Sequence, residues 1–280
     1  MAQGRCLAAP VNLSHVLDLL LITADPVLAA ECDAVPGMRL FVDLERLGKA
    51  ERQAGRNTFI STHELPDVAR VKAEVKRTPV MVRVNPMGRH SRQEVDQVLE
   101  NGADMLMLPM FRTPQELRRF CELVGGRVPV VALLETREAL DCVDEWVNTP
   151  GLFEVFVGLN DLHLSLGHSF MFEPLALGLL DHVSRVARGA GRRFGFGGVA
   201  RLDGGLLPGR DVLAEHVRLG SQAVILSRTF FAAGGQNLHS EVSALREAEA
   251  ALNLRTMAQR DADQQRITGV VRGIARKLAG

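Results

Sequence analysis

Glu135 and Asp161 are the side chains whose type and spacing could do chemistry together. Each follows an apolar run: Val130-Val131-Ala132-Leu133-Leu134 before Glu135, and Phe153-Glu154-Val155-Phe156-Val157, then Gly158-Leu159-Asn160, before Asp161. Runs of that length and apolarity are strands buried on both faces of a parallel sheet. Helix-like sequence from Arg137 to Val147 joins them into a strand-helix-strand unit. Its right-handed crossover sets the strands side by side with their carboxyl ends at one rim. Two carboxylates meeting there repel unless a proton or cation lies between them. Mg²⁺ or Mn²⁺ suits such a pair, because these hard ions take one or two carboxylates and leave other positions to water and substrate. The same residues also read as a helix-capping Glu and a turn Asp.

The other strand ends carry Asp25, Asp43, Glu45, Arg83 and Arg228. A metal beside the guanidinium of Arg83 is well suited to hold a keto oxygen and its adjacent carboxylate. It would also stabilise the enolate left when a bond alpha to that carbonyl breaks. Arg is apt because its planar fork is always charged. Arg83 reads equally as one half of a bracing salt bridge to Asp43 or Glu45.

Eight strands are needed to position these groups, and eight are visible. Apolar runs at 17–23, 39–42, 79–82, 103–108, 130–134, 153–157, 193–199 and 223–226 alternate with helix-patterned segments. Thr62 is placed to cap the second helix, a single long helix is expected over 170–190, and the polar connection 47–61 is long enough to be functional or mobile. The alternation predicts a closed (β/α)₈ TIM barrel over residues 1–232. An open doubly wound sheet is the runner-up, but its glycine-rich turn after the first strand is missing, since Thr23-Ala24-Asp25-Pro26 stands there. Gly195, Gly197 and Gly198 fit close-approach backbone rather than a dinucleotide fingerprint.

Residues 233–280 add two amphipathic helices. One carries Leu238, Val242, Leu245, Ala248 and Leu252 on one face, the other Ile267, Val270, Val271, Ile274 and Leu278. They are expected to form an arm on a neighbouring subunit, making a homo-oligomer; the alternative is a helix lying back on its own barrel. With 33 basic and 33 acidic residues the chain has no net charge, which argues against a nucleic-acid or membrane-surface partner. Four scattered cysteines, a start unlike a signal peptide and the lack of a membrane-length apolar run predict a reduced, cytoplasmic protein.

Val82-Arg83-Val84-Asn85, Leu134-Glu135-Thr136, and Gly158-Leu159-Asn160-Asp161-Leu162 with Leu166-Gly167 resemble the motifs of the hydroxy-oxo-heptanedioate aldolase and citrate lyase β-subunit family. That family lies within the pyruvate/phosphoenolpyruvate barrel superfamily. The resemblance covers about Leu17 to Phe230. It implies a metal-dependent enolate lyase or synthase in which Glu135 and Asp161 are metal ligands and Arg83 stabilises the enolate oxygen. Gly158, Asn160 and Asp161 would then present the backbone that cradles the substrate carboxylate. Two departures stand out. Arg46 follows Asp43-Leu44-Glu45 where the aldolases carry a base His, and Leu133 stands where they carry Gln, which removes a polar contact. The chain is read as a divergent branch.

Glu45, Asp43, His63 and His163 are therefore the candidate bases. His63 is expected to be solvated and His163 structural, and a Schiff-base role for Lys49 is disfavoured because its neighbours are polar. Asp43 and Glu45, two apart, share one face of an extended chain. The expected activity is a class II aldolase-type carbon–carbon lyase, cleaving a hydroxy-keto acid or running the reverse condensation. A citrate-lyase-like enzyme acting on a thioester, a decarboxylating or condensing enzyme, and a non-catalytic metal-binding barrel are the alternatives.

Overall fold

The computed structural model describes residues 16–48, 61–227, 230 and 238–280. Eight parallel strands, β1 (Asp18–Ile22), β2 (Met38–Asp43), β3 (Val80–Arg83), β4 (Met105–Leu108), β5 (Val130–Leu134), β6 (Leu152–Val157), β7 (Arg193–Val199) and β8 (Ala223–Leu226), pair in sequence order. Pairing of β8 with β1 closes the sheet, with Leu19 opposite Val224. The closed barrel is the one the alternation of strands and helices predicts.

The outer ring begins with α1 (Pro26–Asp33), α2 (Leu65–Glu74), α3 (Ser91–Glu100) and α4 (Pro114–Val124). It continues with α5 (Arg137–Asp141), α6 (Val143–Trp146), α7 (Leu159–Ser165), α8 (Glu173–Ala176), α9 (Leu179–Gly189) and α10 (Gly209–Leu219). Three details differ from the sequence reading. The cap of α2 is Glu64, in a reciprocal capping box with Asp67, rather than Thr62. The 137–147 segment divides at Cys142, whose backbone leaves helical geometry. The 170–190 segment divides at Gly178, where φ of +75° is a left-handed turn open to glycine at little cost.

Side chains alternate between the two faces of each strand. One set packs outward against the helices. The inward set stacks along the barrel axis in layers, with Leu20, Phe41, Met81, Val131, Leu133 and Phe156 forming the apolar middle. Below it, at the amino ends of the strands, four charged side chains interlock. Arg39 bonds both oxygens of Glu154 (2.8 and 3.1 Å) and Asp18 (2.7 Å), while Arg193 bonds Glu154 (3.1 Å) and Asp18 (2.6 Å). Above it, the same inward parity delivers Asp43, Arg83, Glu135 and Gly158 to the carboxyl-end rim. The barrel is thus plugged at one end and open at the other.

The chain finishes in α11 (Leu238–Asn253) and α12 (Met257–Ala279). The α12 face expected to meet a neighbouring subunit lies against α8 and α10 of its own barrel. Ile267 and Val271 are buried there, each worth about 1.5–3 kcal/mol. Arg266 donates to both Asp211 oxygens (2.6 and 3.0 Å), fixing the helix to α10. The far end of α11 is tied back too, since Glu249 accepts the Leu17 N–H at 2.8 Å. No helix among the described residues is long and apolar enough to cross a membrane.

Candidate active site

The open end of the barrel holds a cavity of about 610 Å³. Asp43, Arg83, Glu135, Gly158, Asn160 and Asp161, all singled out from the sequence, line it. So does Asp25, which also caps α1 by accepting the Val27 N–H at 2.9 Å. Arg228 and Lys49 lie outside the described residues.

Glu135 follows directly on β5 and is 2 % exposed. Its Oε1 accepts the Met110 N–H at 3.0 Å. Met110 has φ of +55°, the sole non-glycine in the left-handed region among the described residues, so the donor is held in place at the expense of local strain. Asp161 belongs to the first turn of α7, the helix that begins where β6 ends, and is also buried. Burial first, and then the charge of Asp161, push the Glu135 carboxyl up to about 8, against a partial downward pull from Arg83. This is the crowding that the sequence spacing predicts. Gly158 makes it possible: a Cβ there would stand 2.8 Å from Glu135 Oε2 and 3.1 Å from Leu133 Cδ1. Its role is to leave room.

Arg83 is gripped by Asp43. The guanidinium donates from Nε to Oδ1 and from Nη2 to Oδ2, both at 2.8 Å. Burial alone would lower its pKa, but the opposed charge and hydrogen bonds of Asp43 outweigh that and raise it, with Glu45 and Glu135 adding to the effect. Arg83 is therefore salt-bridged, as one of its two sequence readings has it, and it also faces the cavity. Glu45 sits behind this pair, 1 % exposed, with Oε2 at 3.5 Å from Arg83 Nε, and is not part of the cavity wall. The exit of β2 is held by Asn85, whose Oδ1 accepts the Arg46 and Leu47 N–H groups at 2.9 and 3.0 Å.

The two histidines part company. His163 is buried, with Nδ1 at 3.0 Å from the Leu159 carbonyl, and takes no part in the cavity wall. His63, expected to be solvated, lines the cavity instead, and its Nδ1 accepts the Asp43 backbone N–H at 3.1 Å. Its position in a polar connection hid this in the sequence; Ser61 and Asp67 flanking it, both partners in local hydrogen bonds, were the signal available.

No cluster of three or more His, Cys, Asp or Glu side chains among the described residues could hold a metal ion. Glu135 and Asp161 offer two buried oxygen ligands whose mutual repulsion a divalent cation would relieve. That donor set fits Mg²⁺, which prefers oxygen and keeps several waters, and does not fit a structural zinc.

Fold and site together define a closed β/α barrel with a paired-carboxylate rim. The chain belongs to the HpcH/HpaI aldolase/citrate lyase family, whose pattern matches residues 21–197 and so takes in every rim group from Asp43 to Asp161. It is 39% identical over 79 residues to a hydroxypyruvate/pyruvate aldolase of Rhizorhabdus wittichii; the match spans 26% of this chain and 32% of that protein, about a third of the relative's length. Its fold is similar to an HpcH/HpaI aldolase/citrate lyase family protein from Burkholderia cenocepacia, with a TM-score of 0.62 at 18% identity over 84% of this chain and 95% of the other. A citrate lyase beta subunit from M. tuberculosis, solved with oxaloacetate and magnesium, gives a TM-score of 0.55 at 19% identity over 83% and 96%.

Proposed function

We propose that this protein is a divalent-metal-dependent carbon–carbon lyase of the aldolase type, cleaving a hydroxy-keto acid to an aldehyde and pyruvate or joining them in reverse. The observation that carries this reading is the convergence of Glu135 and Asp161 on one cavity, close enough that the Glu135 carboxyl is pushed up to about 8 by burial and by its neighbour. Family membership and the magnesium in a structural relative support it.

Glu135 and Asp161 would hold Mg²⁺ or Mn²⁺. The bound ion supplies positive charge to the keto oxygen and carboxylate of the substrate. Arg83, aimed by its two bonds to Asp43, adds a fixed guanidinium for the charge that gathers on the enolate oxygen as the carbon–carbon bond breaks. Asn160 and Asp161 bring first-turn backbone amides, which have no intrahelical acceptor, to the same wall. The proton of the cleaved carbinol goes to Asp43, the carboxylate on the β2 side of the cavity, and Glu45 behind it keeps the cluster's charge balanced against Arg83.

The opposite wall is mostly apolar: Leu21, Ile22, Leu28 and Leu226 stand there beside Thr23, Ser227 and Asp25, whose Oδ1 accepts the Val27 N–H. That surface suits an aldehyde without a charged group. Exchange of pyruvate methyl protons with solvent tests the reading directly, because it requires only the enolate. Exchange is expected to stop after thorough chelation and to return with Mg²⁺ or Mn²⁺; exchange that persists without metal would count decisively against it.

A further inference from the structure

We infer that His63 is a neutral hydrogen-bond donor, held to meet the oxygen of the aldehyde that the aldolase reading requires, and not a base. A backbone N–H can only donate, so the 3.1 Å bond from Asp43 N–H to Nδ1 leaves that nitrogen unprotonated and places the ring proton on Nε2. A proton on Nδ1 would set two donors against each other. The lone pair a base would use is therefore already taken.

The backbone that carries the ring is held on both sides. The His63 N–H donates to Ser61 Oγ at 3.1 Å, and Arg46 Nη2 donates to the His63 carbonyl at 2.9 Å. The next residue, Glu64, opens the α2 capping box by donating its N–H to Asp67 Oδ2 at 2.7 Å. A residue so fixed has lost the freedom of a surface side chain before any ligand arrives.

Its place in the barrel selects its partner. His63 sits at the mouth of β2, whereas Glu135 and Asp161 sit at the mouths of β5 and β6, across the ring of strands. A keto acid held through a divalent ion at Glu135 and Asp161 would occupy the β5 and β6 side of the cavity. The aldehyde then approaches from the β1 and β2 side, between the apolar wall and His63. Arg83 is the one cationic side chain among the described residues of the cavity wall, and Asp43 grips it. A neutral N–H matched to a neutral carbonyl oxygen stabilises the charge growing there as the new bond forms, while the proton that completes the carbinol comes from Asp43 and the Nε2 proton stays on His63.

Histidine-selective ¹⁵N labelling with long-range proton–nitrogen correlation, His63 being assigned by its loss in His63→Gln, reads the tautomer without any assay. The neutral Nε2–H pattern is expected at neutral pH; an Nδ1–H or imidazolium pattern overturns the proposal. Kinetics supply the second arm. In His63→Ala, aldol condensation with pyruvate and an uncharged aldehyde should fall about 10²-fold, at least about tenfold more than pyruvate proton exchange, and His63→Gln, which keeps an amide donor, should recover part of the loss. Equal loss in both reactions overturns the assignment to the aldehyde. A wild-type protein that performs neither reaction overturns the aldolase reading itself, and with it the partner given to His63, whatever the tautomer.

Discussion

A Cβ on Gly158 would lie 2.8 Å from Oε2 of Glu135, a separation that no real pair of such atoms sustains. The glycine is needed for space and not for backbone freedom, since its φ is −82°. Gly158→Ala should therefore leave the fold intact and displace the Glu135 carboxylate. Mg²⁺ affinity is expected to fall about 10- to 100-fold, as it does when a ligand's supporting shell is disturbed. Titration calorimetry, with circular dichroism as the control for folding, checks both halves; unchanged affinity would remove Glu135 from the metal site.

Glu135 also makes stability depend on pH in an identifiable direction. Its folded pKa, pushed up to about 8 by burial and by Asp161, exceeds the ordinary value of 4.5, so the metal-free folded state holds a proton that the unfolded chain releases. That contribution is complete below the ordinary value and is lost as pH rises through about 8. Without metal, the melting temperature should fall between pH 5 and 9 by more in the wild type than in Glu135→Gln. Mg²⁺ binding must expel the proton, so the stabilisation from added Mg²⁺ should grow over the same range. Thermal melts with and without Mg²⁺ across that range test it, and parallel curves for the two proteins would refute it.

Two buried ionic networks lie at opposite ends of the barrel, and they should separate stability from activity. Glu154 is wholly buried and holds Arg39, whose side chain is 3% exposed. Glu154→Gln leaves that guanidinium short of a counter-charge and should cost roughly 3–5 kcal/mol in denaturant unfolding, while proton exchange by the folded protein persists. Arg83→Lys keeps a charge at the open end but loses the two-point grip on Asp43. It should destabilise less and lower exchange about 10²-fold. The reverse pattern would mean that the working end of the barrel has been misassigned.

Much of this site is legible in the chain because it rests on local rules. Near-continuous apolar runs mark strands buried on both faces, and the polar residue that ends each run is at the rim in a parallel barrel whatever the helices do. Asp43, Arg83, Glu135 and Asp161 are found that way. Inward parity could have found more: Asp18, Arg39, Glu154 and Arg193 occupy the same face of their strands as Leu20, Phe41, Phe156 and Gly195, which places all four inside the barrel. Arg39 and Glu154 look like ordinary charged residues until the sheet closes and brings positions 115 apart to 2.8 Å.

The order of the strands and helices and the carboxylates at the strand ends were determined by the sequence alone, because each follows from neighbours a few residues away. Tertiary structure decided which partner each polar group took. It turned the α12 face onto the chain's own barrel, gave Arg83 to Asp43, and brought His63 back over the end of β2, where a backbone amide chose its tautomer. Those outcomes depend on which surfaces meet when the sheet closes and on which buried groups remain to be satisfied, and no local pattern encodes either.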